Sequence, residues 1–525
     1  MAVVFLGVLS VSASIAFVWL TKKMIDIATK PNFKEDITLY ISLLAGVIIL
    51  QQILYILKAR LNTRTSTSLM NRLRVELFDT VMRSEWNGKE KFHTGDLVSR
   101  IESDTRTISD TICITLPSIL IICIQFIASF KFLHMLDSKL AWLVVVIMPI
   151  ALILSKRFIL KMRELTSSIR GTDSVILSHI QEQIQHRTII NSLGNTDMST
   201  QELSSKSETL LGQTMRSINY TLYTRTMVQL GFGVGYLTVF LWGVNGLNSG
   251  LITFGTMTAF LQLVAQVQRP AIELSSQLSA SAKSVASVER IHSLELMSVE
   301  QSGEKEILEP AVGVRARELS FRYSDGGERY ILNNFSYDFT PNSMHVIVGH
   351  TGVGKSTLIR LMLGLLKSNA GSLELYNSER SALCSPTTRS NFVYVPQGNT
   401  LMSGTVRDNL LLSKPSASDE ELREALHSAV ADFVYDMPDG IDSMCGERGA
   451  GLSEGEAQRI AIARGLLQSG NVMLLDEPTS ALDSATEELL IKRLSKYAEN
   501  RTLIMVTHRD TASMLCASVV RLDVP

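Results

Sequence analysis

The chain has 525 residues, 46% of them hydrophobic, and its 50 Lys and Arg against 51 Asp and Glu leave a formal net charge of −1. That length exceeds one ordinary domain, and the near-neutral charge leaves no basic field to hold nucleic acid. None of the five cysteines (Cys113, Cys123, Cys384, Cys445, Cys516) forms a CxxC pair, so neither a disulfide framework nor a zinc site is indicated, and they read as small residues of a reducing compartment.

Apolar segments fall at about 2–20, 37–57, 112–132, 140–155, 226–247 and 251–268. A helix needs roughly 20 residues to cross a hydrocarbon core of about 30 Å. The second, third and fifth segments meet this, and the shorter ones take support from their neighbours. One such segment alone reads equally as a buried core helix. Six in half a chain read as a polytopic α-helical membrane domain over residues 1–300. The first begins at Ala2 without a basic lead, which favours a span over a signal peptide. No cytosolic lead-in precedes it, as in a shortened or misassigned start.

Charge orients the spans. Ten Lys and Arg lie between the second and third, from Lys58 to Arg106, and nine between the fourth and fifth, from Lys156 to Arg225. The link GVNGLNSGLI has none. The positive-inside rule puts both long loops, and with six spans both chain ends, in the cytosol. The stretch TKKMIDIATKPNFKED dissents weakly, its four lysines being offset by three acids. Residues 58–86 and 97–111 are rich in Leu, Arg, Met and Glu. They read as helical arms of ~25 residues, about 37 Å long, reversing near Trp86–Asp96. The second pair of arms reverses near Asn191–Thr196.

A boundary falls near residues 295–312, where Gly, Pro and charge break the helical pattern. Residues 310–525 then read as an α/β P-loop ATPase domain with a helical subdomain. The β-branched run His345–Val348 enters Gly349-His350-Thr351-Gly352-Val353-Gly354-Lys355-Ser356-Thr357, a G-x-x-x-x-G-K-S loop in its strand–loop–helix context. Glycines there let backbone N–H groups curl around phosphate, and the helix dipole adds to them. Lys355 is placed for the β- and γ-phosphates and Ser356 for Mg²⁺. A second strand, Asn471–Leu475, ends in Asp476-Glu477. The first acid is placed to hold Mg²⁺ through water, the second to deprotonate an attacking water.

The surrounding motifs resemble the ATP-binding cassette (ABC) family, in the exporter form that fuses one membrane domain to one nucleotide-binding domain. They stand in order as LSFRYSD, GHTGVGKST, YVPQ, GERGAGLSEGEAQR, VMLLDEPTSALD and VTHR. The earlier FHTGDLVSRIESD resembles that family's first coupling loop, so the likeness spans nearly the whole chain. The resemblance implies that Tyr323 stacks on adenine and that Gln397 senses the γ-phosphate and Mg²⁺. It implies Glu477 as general base, His508 at the γ-phosphate, and Ser480–Asp483 as a loop communicating across a dimer. Ser453 and Gly455 would touch ATP held by a second copy, and Gly446–Gly449 is an exporter feature.

Two departures accompany it. The usual LSGGQ signature reads LSEGE here, and a single chain carries half of a working unit. A dimer follows, as a homodimer with two competent sites or a heterodimer. The implied protein is an ATP-driven exporter half, multi-pass in the cytoplasmic (inner) membrane with its nucleotide-binding domain in the cytosol. An ATP-gated channel or an importer on the same frame are its alternatives, and a soluble cassette ATPase fits the spans poorly. Gln125, Gln229, Gln262 and Gln266, with Arg269 and Glu273 near the inner end, suit an amphipathic small molecule, lipid or peptide.

The acids of the signature have a local reading too. Ser453-Glu454-Gly455-Glu456 fits S-x-x-E at a helix start, a capping box in which Glu456 folds back to the Ser453 N–H. Acids there also complement the positive end of the helix dipole. Glu456 would thus organise the helix that presents Ser453 and Gly455 to phosphate.

Overall fold

The computed structural model describes residues 1–29, 37–86, 94–300, 303–323, 329–446, 451–508 and 518–522. It divides into two compact units, Met1–Phe78 with Gly95–Glu295 and Asp79–Thr94 with Leu296–Pro525.

The described part of the first unit is helical. In chain order come α1 (Ala2–Ala28), α2 (Ile37–Met82), α3 (Thr94–Ser99), α4 (Thr105–Asp110), α5 (Leu116–Leu136), α6 (Ser138–Gln185), α7 (Arg187–Ser192), α8 (Thr196–Asn248) and α9 (Phe254–Glu295). Single π-type turns at Arg100–Asp104 and Thr111–Thr115 join α3, α4 and α5 into one rod. The six apolar segments run through α1, α2, α5, α6, α8 and α9. Among the described residues, Ala2–Ala28, Ile37–Met82, Gly95–Leu136 and Thr196–Asn248 are long and apolar enough to cross a membrane.

Their packing suits lipid. Among the described residues α2 buries only Leu54, Ser66 and Leu77, while Leu39, Ile41, Ile49, Ile53 and Ile56 face outward. A helix can expose such a surface to hydrocarbon because its backbone groups are satisfied within itself. Inside the unit, Val18, Leu133, Val239, Phe260 and Leu263 form a dry cluster, and Trp242 meets Phe260 edge-on at 4.9 Å. Gln266 donates to Ser14 Oγ at 3.0 Å and accepts from Ser129 at 3.3 Å. It ties α1, α5 and α9 together, where the sequence suggested a side chain facing substrate.

The arms are continuous with the spans. α6 and α8 have 48 and 53 residues, about 72 and 80 Å at 1.5 Å per residue, far more than a bilayer needs. They pair through Thr172–Gln213 at 2.9 Å and Ser199–Gln183 at 2.8 Å, and reverse through α7 and Gly194, whose φ is 68°. The first arm differs from expectation. α2 stops at Met82 rather than Trp86, because residues 83–85 pair with 298–300 instead: the Glu85 N–H donates to Ser298 O at 2.7 Å and the Glu300 N–H to Arg83 O at 2.9 Å. The expected reversal at Trp86–Asp96 lies mostly in residues 87–93, outside the described residues.

The second unit holds β1 (Gly313–Phe321), β2 (Leu332–Phe339), β3 (Met344–Val348), α10 (Lys355–Met362), β4 (Ala370–Tyr376), β5 (Ser381–Leu383) and β6 (Phe392–Val395). There follow β7 (Gly404–Thr405), α11 (Val406–Leu411), α12 (Asp419–Ser428), β8 (Met444–Cys445), α13 (Glu454–Leu467), β9 (Val472–Asp476), α14 (Ser484–Tyr497), β10 (Thr502–Val506) and β11 (Ser518–Arg521). An antiparallel sheet runs β2-β1-β4-β5, and a parallel sheet β11-β3-β10-β9-β6. β9 and β10 are buried along their whole length, so they read as unbroken apolar runs, as strands covered on both faces must. One core lies around the antiparallel sheet and α10 and another around α11 to α14, giving the α/β body and helical subdomain that the sequence suggested.

Candidate nucleotide site

Strand order builds the site. β10 comes after β9 in the chain but lies between β9 and β3 in the sheet. The loops leaving β3, β9, β10 and β6 therefore open on one carboxyl edge, the usual ligand edge of a parallel sheet. They bring the P-loop, Glu477, His508 and Gln397 around a cavity of ≈ 790 Å³.

The P-loop is shaped by two left-handed glycines, Gly352 at φ 84° and Gly354 at φ 109°. A side chain at Gly354 would also stand 2.7 Å from Ile331. Gly354 is the N-cap of α10, so the helix starts at Lys355. The Lys355 ammonium is buried and donates to Gly349 O at 2.7 Å and His350 O at 3.1 Å, across the loop's mouth. These neutral carbonyls are weaker partners than a phosphate. Gly349, His350, Thr351, Gly352, Gly354, Ser356 and Thr357 line the cavity, whereas Val353 turns its side chain into the apolar core. Tyr323 reaches Thr357 Oγ1 at 3.2 Å, packs edge-on to Phe321 at 4.9 Å and stands in the cavity wall.

Asp476 ends β9 beneath the loop. It is 4% exposed, and its Oδ1 has no hydrogen-bond partner among the described residues. Burial pushes its carboxyl up from the ordinary range, against a hydrogen bond from Ser356. A buried acceptor left unpaired is costly. A carboxylate and a hydroxyl side by side fit a Mg²⁺ ion that keeps several of its waters.

Glu477 stands at φ 50°, strained for a residue with a side chain. Hydrogen bonds on both its N–H and its carbonyl hold it there. Its N–H donates to Val506 O at 3.0 Å, and its carbonyl accepts from Gln458 Nε2 at 2.7 Å and Ser480 Oγ at 3.2 Å. The carboxylate then faces the cavity, where Gln397 donates to its Oε2 at 2.7 Å and His508 Nδ1 lies 3.6 Å from the same oxygen. The sequence reading missed Gln458. Its one signal was an amide on the otherwise apolar face of α13. Ile331, Val519 and Arg521, also in the wall, carried no signal at all.

Ser453, Gly455 and Glu456 are absent from this cavity's wall. They open α13 with the reciprocal pair anticipated. Glu456 N–H donates to Ser453 Oγ at 3.3 Å, and Glu456 Oε2 accepts from both the Ser453 N–H and the Ser453 hydroxyl at 2.8 Å. Ser453 and Glu454 are exposed. Gly455 is buried, because an added Cβ would stand 2.7 Å from Ala481 O. The glycine thus serves packing inside this subunit, which the sequence did not suggest. Of the GERG stretch, residues 447–449 lie outside the described residues, as does the Arg269 side chain.

Residues 1–271 match the family description "ABC transporter transmembrane region" and residues 332–480 "ABC transporter". The chain belongs to the ABC transporters. It is 26% identical to a putative export ATP-binding/permease protein of Rickettsia conorii, over 97% of this chain and 89% of that one. It is similarly 26% identical to an ATP-dependent lipid A-core flippase of Desulfotalea psychrophila, over 94% and 86%. A putative multidrug export ATP-binding/permease protein of Bacillus subtilis is 27% identical over 85% and 77%. The fold matches a bacterial Atm1-family ABC exporter with ATP bound, with a TM-score of 0.82 at 21% identity, over 99% of this chain and 92% of that one. The transporter is therefore an ATP-hydrolysing exporter half and a multi-pass membrane protein. Its nucleotide-binding domain implies a bound nucleotide, and its half-transporter fold is consistent with dimerisation.

Replacing Lys355 by Ala removes the charge at the loop's mouth. ATP affinity, read by direct binding, is expected to fall about tenfold or more, and unchanged affinity would contradict that role. At α13, Glu456→Gln keeps an acceptor for both Ser453 donors and is expected to leave ATPase kcat and KM nearly unchanged. Glu456→Ala loses roughly 0.5–2 kcal/mol of local stability by analogy with lost N-caps and lowers turnover. A gain in ATP affinity and turnover in both variants would show instead that the acids repel nucleotide.

Proposed function

We propose that the protein is an ATP- and Mg²⁺-dependent exporter half that works as a homodimer in the cytoplasmic membrane. Residues 1–300 form its six-span membrane domain and residues 310–525 its cytosolic nucleotide-binding domain. The observation that carries this reading is the Glu477 carboxylate, held by the Gln397 amide and faced by His508 in the wall of the P-loop cavity.

On this reading the glycine-rich loop, Thr351 and Thr357 enclose the phosphates, and Tyr323 supplies a flat face for adenine. Lys355 exchanges two backbone carbonyls for phosphate oxygens. Bound Mg²⁺, held by Ser356 and through water by Asp476 and Gln397, would neutralise charge developing on the phosphates. Glu477 accepts the proton of the attacking water, and Gln397 and His508 hold the base and the γ-phosphate in register. Ser453 and Gly455 lie outside their own chain's cavity wall, so they serve a site on a second copy. Glu477 and His508 are both present, which favours two equal sites and hence a homodimer. ATP binding closes the nucleotide domains, the helical arms carry closure to the spans, and hydrolysis resets the cycle.

The cargo is an amphipathic small molecule, lipid or peptide. Two relatives are named for lipid A-core flipping and multidrug export, and amides such as Gln125 and Gln262 sit within otherwise apolar spans.

Glu477→Gln keeps the shape of the base without its proton affinity. ATPase activity is expected to fall about a hundredfold or more, with ATP still bound and a closed dimer accumulating on cross-linking. Near-normal turnover would remove Glu477 from the base role. Mixing Lys355→Ala chains with Ser453→Arg chains leaves at most one intact site per heterodimer. Separated monomers hydrolysing ATP at the dimer's rate per chain would refute the shared site.

A further inference from the structure

Glu477 is under more strain than its φ of 50° alone implies. The next residue is Pro478, whose ring crowds the residue before it and pushes that residue toward extended backbone. Pro478 also has no N–H with which to tie the turn. A left-handed glutamate ahead of a proline is thus unfavourable twice over, and a free peptide here would relax to an extended conformation. What opposes that relaxation lies on two sides. The Glu477 N–H continues the sheet to Val506 O at 3.0 Å. On the other side the Glu477 carbonyl accepts from Ser480, through Oγ at 3.2 Å and through N–H at 3.4 Å. Both contacts are long and belong to the same turn, so they move with it. The short bond comes from outside the turn, from Gln458 Nε2 at 2.7 Å. Gln458 is fully buried, and its Oε1 has no partner among the described residues. Leaving that oxygen unpaired is costly, so packing alone does not account for an amide here. Only its N–H side can meet a carbonyl, which fixes how the amide is turned. The helix that presents it is rigid. Ala457, Ile460 and Ala461 of α13 lie in the core, and Gly455 lies so close to Ala481 that an added Cβ would stand 2.7 Å from its carbonyl oxygen.

We propose that Gln458 is a clasp for the base: its N–H holds the Glu477 peptide in the strained conformation that aims the carboxylate into the nucleotide cavity. Without the clasp the peptide relaxes, and the carboxylate leaves its place beside Gln397 and His508. The strained backbone is therefore a two-position element, and the buried amide of α13 selects the productive position. Gln458 is absent from the cavity wall, so it is a positioning residue that acts through Glu477. The inference rests on the reading of Glu477 as general base. Its effect falls on turnover, because ATP is held by groups that Gln458 does not touch, whereas displacing a reacting group by about 1 Å can cost on the order of a hundredfold in rate.

The test uses the full-length protein in phospholipid vesicles, with ATP affinity read by direct binding and kcat and KM by phosphate release. Gln458→Met keeps the length of the side chain and removes its donor. It is expected to lower kcat about tenfold or more, with ATP affinity and KM within about twofold of the parent. Gln458→Ala, which adds no bulk and suits a helix, carries the same test where Gln458→Met fails to fold. Each change is then combined with Glu477→Gln. Residues that act as one unit lose their effect together, so the Gln458 change is expected to cost no more than about twofold beyond Glu477→Gln alone. Near-normal turnover in Glu477→Gln would overturn the base reading and the clasp with it. With Glu477→Gln slow, full turnover in the folded Gln458 variants would overturn the clasp alone. So would a further loss of about tenfold in the combined variants, or a parallel fall in ATP affinity. Gln458 would then serve the packing of α13 or the nucleotide pocket rather than the base.

Discussion

The backbone at Glu477 is the constraint on which the nucleotide site depends. A glutamate at positive φ is unfavourable unless its surroundings over-determine it, and here a strand, the signature helix and the following loop each contribute a bond. Val506 ends β10, Gln458 belongs to α13, and Ser480 lies beyond β9. These groups fix where the carboxylate stands relative to Gln397 and His508. In the proposed role of general base, a carboxylate held this way would need little reorganisation when its proton arrives.

The same economy runs through the P-loop. Lys355 is folded onto its own loop's carbonyls, which keeps a buried ammonium paired until a stronger partner replaces them. Asp476 is the opposite case, buried with an oxygen lacking a partner among the described residues. One group is paired in a way that phosphate can displace, and the other is held in a state that a cation relieves. The site is thus electrostatically incomplete on both sides, and the ATP–Mg²⁺ pair proposed for it would complete both. The capping pair at Ser453 and Glu456 adds a third such element. There a negative side chain is stabilised by backbone and hydroxyl donors, so an acid beside a proposed phosphate contact is first of all a helix device.

The membrane unit follows different rules. With hydrocarbon outside, apolar side chains gain little by turning inward, and helix association rests on packing and a few polar contacts. Gln266 between Ser14 and Ser129 is one of these, and the small dry cluster around Phe260 is another. α6 and α8 continue past any bilayer as their sequence changes from apolar to charged, staying helical through Gly171 and Gly212 until the reversal at α7 and Gly194.

Much of this was legible in the chain itself. Apolar runs of spanning length, the G-x-x-x-x-G-K-S loop after a β-branched strand, the acid pair ending the next apolar strand and the S-x-x-E helix start are local patterns, each with a local physical cause. What they could not supply was adjacency between segments far apart in the chain. That β10 inserts between β3 and β9, bringing His508 to Glu477, depends on strand pairing across the whole domain. The same holds for Gln458 under Glu477, for Gly455 against Ala481, and for Gln266 turned to its neighbours. The early end of α2 is the plainest case. Residues 83–85 include the good helix formers Arg83 and Glu85, yet their backbone pairs with residues 298–300, more than two hundred positions away. Intrinsic propensity is worth only a few tenths of a kcal/mol per residue, so long-range pairing overrides it, and only the tertiary structure decides where that happens.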